Sequence, residues 1–166
     1  MPASDSADEG NRTITEPAHI LIADDLVELR EVLRFHLERD GFAVSEAGTG
    51  REAIEELERH CPDVLLLDVT MPDMDGWAVL DHLRRQGPRP RVAMLTAHAD
   101  ESVEVLARNG GADAYLAKPL QPGEVIAAVR RLLSPAHGRG PTTVEDPDFT
   151  VALNRLLSSP TKTSGE

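Results

Sequence analysis

Three acidic residues stand where short apolar runs stop. Asp24 and Asp25 follow His19-Ile-Leu-Ile-Ala23, and Asp68 follows Val64-Leu-Leu-Leu67. Each run is short, bounded and rich in branched residues, the pattern of a strand buried on both faces. Acids at the ends of such strands gather at one rim of a parallel sheet, the rim where open α/β sheets bind ligands. Carboxylates held close together repel by roughly 4 kcal/mol per pair at an effective dielectric near 20. A hard divalent cation bound by oxygens offsets that repulsion. Two further strand ends join the rim: Thr96 follows Val92-Ala-Met-Leu95, and Lys118-Pro119 follows Ala114-Tyr-Leu-Ala117. Taken singly, each has a plain explanation as a helix cap, a turn or a solvated cation. Together they put acids, a hydroxyl and an ammonium on one edge of one sheet.

The elements that position them follow from hydrophobic periodicity. Ile20-Leu-Ile22 reads as the first strand, and Leu26, Leu29, Leu33 and Leu37 recur at helical spacing up to the stop signal Asp40-Gly41. Phe42 to Ala47 reads as a weaker edge strand. Thr49-Gly-Arg-Glu52 has the form of a capping box opening a helix with Ala53, Ile54 and Leu57 inward, ending before Cys61-Pro62. Val64 to Leu67 is the most apolar strand and therefore central. Trp77, Leu80 and Leu83 mark a third helix, and Asp100 opens a fourth carrying Val103 and Leu106, closed by Gly110-Gly111. Pro122 suits the first position of a last helix with Val125, Ile126, Val129, Leu132 and Leu133 inward. Alternating strands and helices predict a doubly wound α/β fold, a five-stranded parallel sheet covered on both faces by five helices through right-handed crossovers.

The outer segments differ. Residues 1–17 are rich in Ser, Asp, Glu and Thr and read as a disordered leader. Residues 18–133 form the domain. Residues 134–166 turn to Pro, Gly, Ser and Thr, a linker or tail. Within it Phe149, Leu153, Leu156 and Leu157 fall at helical spacing, which predicts a short amphipathic helix over 147–158 that binds a partner or the face that switches. A tail without fixed structure is the alternative, because short isolated helices are marginal.

Composition excludes several classes. A net charge of −12 argues against direct nucleic-acid binding, which needs clustered Lys and Arg. One cysteine, Cys61, excludes an internal disulfide and a Cys-rich metal site, and reads as a buried or half-buried thiol at a helix end. No apolar run approaches the ~20 residues of a membrane helix, and the first residues lack a secretory h-region, so a cytoplasmic location with no membrane insertion is expected. The histidines at 19, 36, 60, 82, 98 and 137 stand at no metal-ligand spacing. Trp77 is expected to pack under the acidic rim, with Met71 and Met74 in the loop beside it.

The set Asp24-Asp25, Asp68 with Met71-Pro72 and Asp75-Gly76, Thr96-Ala97, and Gly111-Ala112-Asp113 leading through Tyr115 to Lys118-Pro119 resembles the receiver domain of two-component response regulators, in its stand-alone, chemotaxis-regulator-like form. The resemblance runs from about Ala18 to Leu133. It implies a flavodoxin-like sheet in the order 2-1-3-4-5. It also implies that Asp68 is the phosphoacceptor. Asp24, Asp25, Asp68 and the backbone carbonyl of Thr70 would hold Mg2+, with Mn2+ as a substitute. Thr96, Ala97 and Lys118 would contact the phosphoryl group, Tyr115 would turn inward on activation, and Lys118-Pro119 would be cis. The implied donor is a sensor histidine kinase or a histidine phosphotransfer protein in a phosphorelay. The implied output is altered binding of a downstream protein, or pairing of two copies, through the face of helix four, strand five and helix five. Such a protein is a signalling phosphoacceptor and not an enzyme in the usual sense, catalysing only its own aspartyl phosphorylation and dephosphorylation.

Two other readings compete. One is a receiver-fold interaction module that works without phosphate. The other is an aspartate-nucleophile phosphohydrolase, which typically carries a second acid two residues past its nucleophile, where this chain has Thr70.

Overall fold

In the computed structural model, residues 16–86, 90–97 and 110–135 are described. The elements run β1 (His19–Ala23), α1 (Val27–Arg39), β2 (Ala43–Ala47), α2 (Gly50–His60), β3 (Val64–Asp68), α3 (Gly76–Arg85), β4 (Arg91–Thr96), β5 (Ala114–Ala117) and α4 (Pro122–Leu133). The expected helix opened by Asp100, with Val103, Leu106 and His98, lies outside the described residues, as do residues 1–15, His137 and the 147–158 segment. The five strands are parallel and ordered β2-β1-β3-β4-β5, as the resemblance implied.

Strand side chains alternate between faces, and here both faces are apolar. Leu21, Ala23, Leu65, Leu67, Val92 and Met94 pack with Ala53 of α2 and Val79, Leu80 and Leu83 of α3. Ile20, Ile22, Val64, Leu66, Ala93 and Leu95 pack on the other face with Leu33 and Leu37 of α1 and Val125, Val129 and Leu132 of α4. Central β3 is buried along its whole length. That double covering is why its sequence runs apolar without alternation.

Local signals place the ends. Thr49 Oγ1 accepts from Glu52 N at 3.1 Å, while the Glu52 carboxylate reaches back to Gly48 N at 2.8 Å. Asp75 accepts from Ala78 N at 2.9 Å and opens α3. Pro122 opens α4. Two details differ from expectation. Leu26 is the N-cap of α1 and 53% exposed, because the helix begins one residue later and its inward stripe starts at Leu29. Met71 lies in the loop after β3, as expected, and is buried in the core. Cys61 is exposed, because α2 ends in a left-handed turn at that residue (φ 43°) that carries its side chain away from the core.

The loop between β3 and α3 is packed tightly. Gly76 N donates to Val69 O at 2.8 Å, and a Cβ built on Gly76 would overlap the carbonyl of Asp68. Gly76→Ala therefore forces β3 and α3 apart at the rim. The expected result is a loss of about 3 kcal/mol, read as a lower urea midpoint.

Candidate functional site

The sheet register brings the rim together. Ala23 lies level with Leu67, so Asp24 and Asp68 are the next residues on neighbouring strands. Asp68 lies level with Leu95, which places Thr96 one step beyond it on the far side. Thr96 lies level with Ala117, so Lys118 is the next residue on β5. Four separate segments thus deliver chemistry to one edge because each strand stops at nearly the same height.

Asp24 is fully buried and Asp68 is 4% exposed, whereas Asp25 faces solvent. One carboxylate oxygen from each lies within 4.8 Å of the others. Lys118 is the cation among them. Its Nζ donates to Asp24 Oδ2 at 2.7 Å and stands 3.4 Å from Asp68 Oδ1. Its nearer partner is therefore Asp24. Asp24 Oδ1 accepts from Leu26 N at 2.9 Å. Its backbone is clamped too, with its N–H on the Ala47 carbonyl at 3.1 Å and its carbonyl accepting from Arg30 at 2.7 Å. Asp68 Oδ1 accepts from Thr70 N at 3.3 Å, and Oδ2 takes no hydrogen bond from a described residue.

Electrostatics follow from this packing. Burial, then the charge of Asp24, pushes the Asp68 carboxyl up to about 6 against the opposing pull of Lys118 and the Thr70 N–H. Burial draws the Lys118 ammonium down, but the hydrogen bond and charge of Asp24, with Asp68 behind it, leave it above its ordinary value. One ammonium against three carboxylates leaves two negative charges over, and a divalent ion with oxygen preference matches both the charge and the donor set. The residues present fit Mg2+.

Thr96 is buried, and Ala97 beyond it is exposed. Tyr115 is half-buried, level with Met94 and packed against the α2/α3 side of the core. Thr96 lies two residues beyond Met94, so it shares that side of the sheet with Tyr115. Thr70 is exposed, and the Lys118–Pro119 bond is cis. Trp77 is half-buried against the same core.

Two residues at the site carried no signal in the sequence. Arg30 holds the Asp24 carbonyl while pairing with Glu46 at 3.2 Å. Asp73 accepts from Gly50 N at 2.9 Å and Arg51 N at 3.1 Å, which fastens the loop after Asp68 to the start of α2. Burial raises the Asp73 carboxyl, but those backbone N–H groups and that of Met74 outweigh it and hold the group below its usual range. Arg30 reaches back six residues and Asp73 more than twenty, and nothing in the local pattern of either residue marks its partner.

Comparison with known proteins agrees with the geometry. Residues 20–130 match the response regulator receiver domain family. The alkaline phosphatase synthesis transcriptional regulatory protein PhoP of Bacillus subtilis (strain 168) is 40% identical over 114 residues, 69% of this chain and 48% of that protein. The transcriptional regulatory protein SrrA of Staphylococcus aureus (strain NCTC 8325 / PS 47) is 40% identical over 126 residues, 76% of this chain and 51% of that protein. The chain thus spans about half the length of these curated relatives. Among solved structures, the Francisella response regulator 1452 receiver domain superposes with a TM-score of 0.67 at 30% identity, covering 69% of this chain and 95% of that one. CheY from the CheX-CheY-BeF3-Mg2+ complex of Borrelia burgdorferi gives 0.68 at 30% identity, covering 72% and 91%. No described helix is long and apolar enough to cross a membrane. With its strand order, its acidic rim and these matches, the chain belongs to the receiver domain family of two-component response regulators.

Proposed function

We propose that this receiver, residues 18–133, takes a phosphoryl group onto Asp68 from a histidine kinase or histidine phosphotransfer protein and changes its binding to a downstream protein. The observation that carries the reading is the setting of Asp68. It is a buried carboxylate at a strand end with one oxygen held by Thr70 N–H and Lys118 and the other taking no donor among the described residues. Asp24, Asp25 and Asp68, with the Thr70 carbonyl, hold Mg2+ or Mn2+. Bound there, the ion supplies positive charge to the carboxylates and to the incoming phosphoryl oxygens. The Borrelia relative, solved with BeF3 and Mg2+, supports this choice of ion.

In the transfer, the Asp68 oxygen without a donor attacks phosphorus, the P–N bond of the donor phosphohistidine breaks, and its electron pair returns to the imidazole. Lys118 stays at the rim as a point charge and turns from Asp68 to a phosphoryl oxygen. Positioning and charge neutralisation supply most of the rate. Thr96 then donates its hydroxyl to the new group, and Tyr115, on the same side of the sheet, moves into the space this leaves. The output face comprises β5 and α4 with the segment between β4 and β5, the face through which two copies would also pair. Direct nucleic-acid binding does not fit the charge of −12, and the site of action is the cytoplasm.

Incubation with acetyl phosphate and Mg2+, followed by intact mass, tests the reading. One phosphoryl adduct is expected, and none in EDTA. No adduct in either condition would favour a module that works without phosphate, and steady turnover of a small ester a phosphohydrolase. Thr96→Ala is expected to take up phosphate yet lose the switch. The single tyrosine makes this measurable: the Tyr115 ring resonances shift on phosphorylation in the native chain and stay put in the variant.

A further inference from the structure

At the end of the sheet opposite the acids lies a cavity of about 570 Å3. It opens between α2 and α3, beneath the start of β3 and β4. Leu57, Leu83 and Leu133 give it an apolar wall, and Glu58 and His82 stand on its rim. Ser134 and Pro135, where the described chain ends, are themselves part of its lining. The last described residues thus line this groove, and the sequence continues from there to Glu166.

We propose that the cavity is the docking site of the chain's own segment from Asp146 to Ser158, seated in cis. Phe149, Leu153, Leu156 and Leu157 recur at the spacing of one helix face, and they are the large apolar residues of the tail beyond Val144 apart from Val151. The stretch from Pro135 to Phe149 is rich in Gly, Pro and Thr. A linker of this length and composition has a mean reach of roughly 20 Å and a greatest reach of about 45 Å. A groove that begins at Pro135 is within that reach. A tether of this length holds the segment at an effective concentration in the millimolar range. Even a weak apolar contact then stays occupied. Glu145, Asp146 and Asp148 precede the apolar residues, and the last turn of α3 offers His82, Arg84 and Arg85 to receive them. The occupant is the tail rather than a foreign helix because the groove starts where the tail does. A seated segment closes the floor of the sheet and ties the ends of α2, α3 and α4 together.

Cys61 is the reporter. It is the single cysteine of the chain, is exposed, and lines this cavity. The full chain is compared with the double variant Phe149→Asp, Leu153→Asp in its rate of reaction with an aromatic disulfide reagent. Docking predicts a rate ~10-fold faster in the variant, with Trp77 fluorescence and its Mg2+ titration unchanged, which shows the domain folded. A synthetic peptide of residues 143–160, added at millimolar concentration to the variant, restores the slow rate. Equal rates in the two chains overturn the proposal, and so does a peptide that gives no protection. Protection that grows with protein concentration also overturns it, by placing the segment on a second copy.

Discussion

Asp68→Asn is expected to abolish phosphoryl uptake and to make the metal-free protein more stable at pH 7. The first result follows from the proposed function, in which this carboxylate attacks phosphorus, since an amide nitrogen or oxygen at this position does not form the acyl phosphate. The second follows from the rim electrostatics. In the native fold the Asp68 carboxyl is pushed up to about 6, first by burial and then by Asp24. The folded state therefore holds the proton more tightly than the unfolded chain, whose ordinary value is 3.8. Stability associated with this group is present below pH 4 and is lost as pH rises through about 6. With screening by water at the rim, ionised Asp68 costs the fold on the order of 2 kcal/mol. Asparagine removes that charge and leaves the Asp24–Lys118 pair in place. Urea midpoints in EDTA at pH 5 and pH 7 measure the effect: the gain is larger at pH 7. A variant no more stable than the native chain at pH 7 would contradict the electrostatic account. Retained uptake would contradict the assignment of the acceptor.

Lys118→Met should do the reverse. Asp24 is fully buried, and the Lys118 ammonium at 2.7 Å is its ion-pair partner among the described residues. Removing one partner of a buried pair leaves an uncompensated charge, a loss of about 3–5 kcal/mol. Two signatures separate this from lost packing. Acidification from pH 7 to pH 5 restores part of the stability, because Asp68, whose carboxyl is pushed up to about 6, takes a proton and removes its share of the repulsion. Saturating Mg2+ restores more in the variant than in the native chain, because the ion no longer competes with an ammonium. Phosphoryl uptake falls by on the order of a hundredfold, the usual effect of deleting one preorganised charge donor. A variant whose stability is indifferent to both pH and metal would show Lys118 to be a packing residue.

These two residues also mark how far the sequence could be read. The strands were legible because parallel, doubly covered strands are written as bare apolar runs such as Val64 to Leu67. The acids were legible because each stands at the end of such a run. Register turned that list into a site, and it is a property of strand pairs that no single segment contains. The order of partners within the site was not legible. Lys118 leans to Asp24, whose backbone Arg30 and Ala47 hold in place through contacts that no single segment contains. Asp73 escaped notice for a similar reason. An acid in a loop of Pro, Asp and Gly reads as a turn residue, and its partners lie on a helix more than twenty positions earlier. Cys61 was misplaced because a left-handed φ at a non-glycine residue is uncommon and has no spacing of its own.

The complete burial of β3 has one more consequence. A strand apolar on both faces has little to stop it sliding by one position against its neighbours, because either set of Leu and Val side chains satisfies either layer. The exception is its final residue. Sliding one step inward would drag an ionised group from the rim into hydrocarbon, and sliding outward would pull a leucine into water. The costly charge of Asp68 thus acts as a stop, indexing the central strand against those beside it. Threading of the chain and the proposed acceptance of a phosphoryl group rest on the same carboxylate.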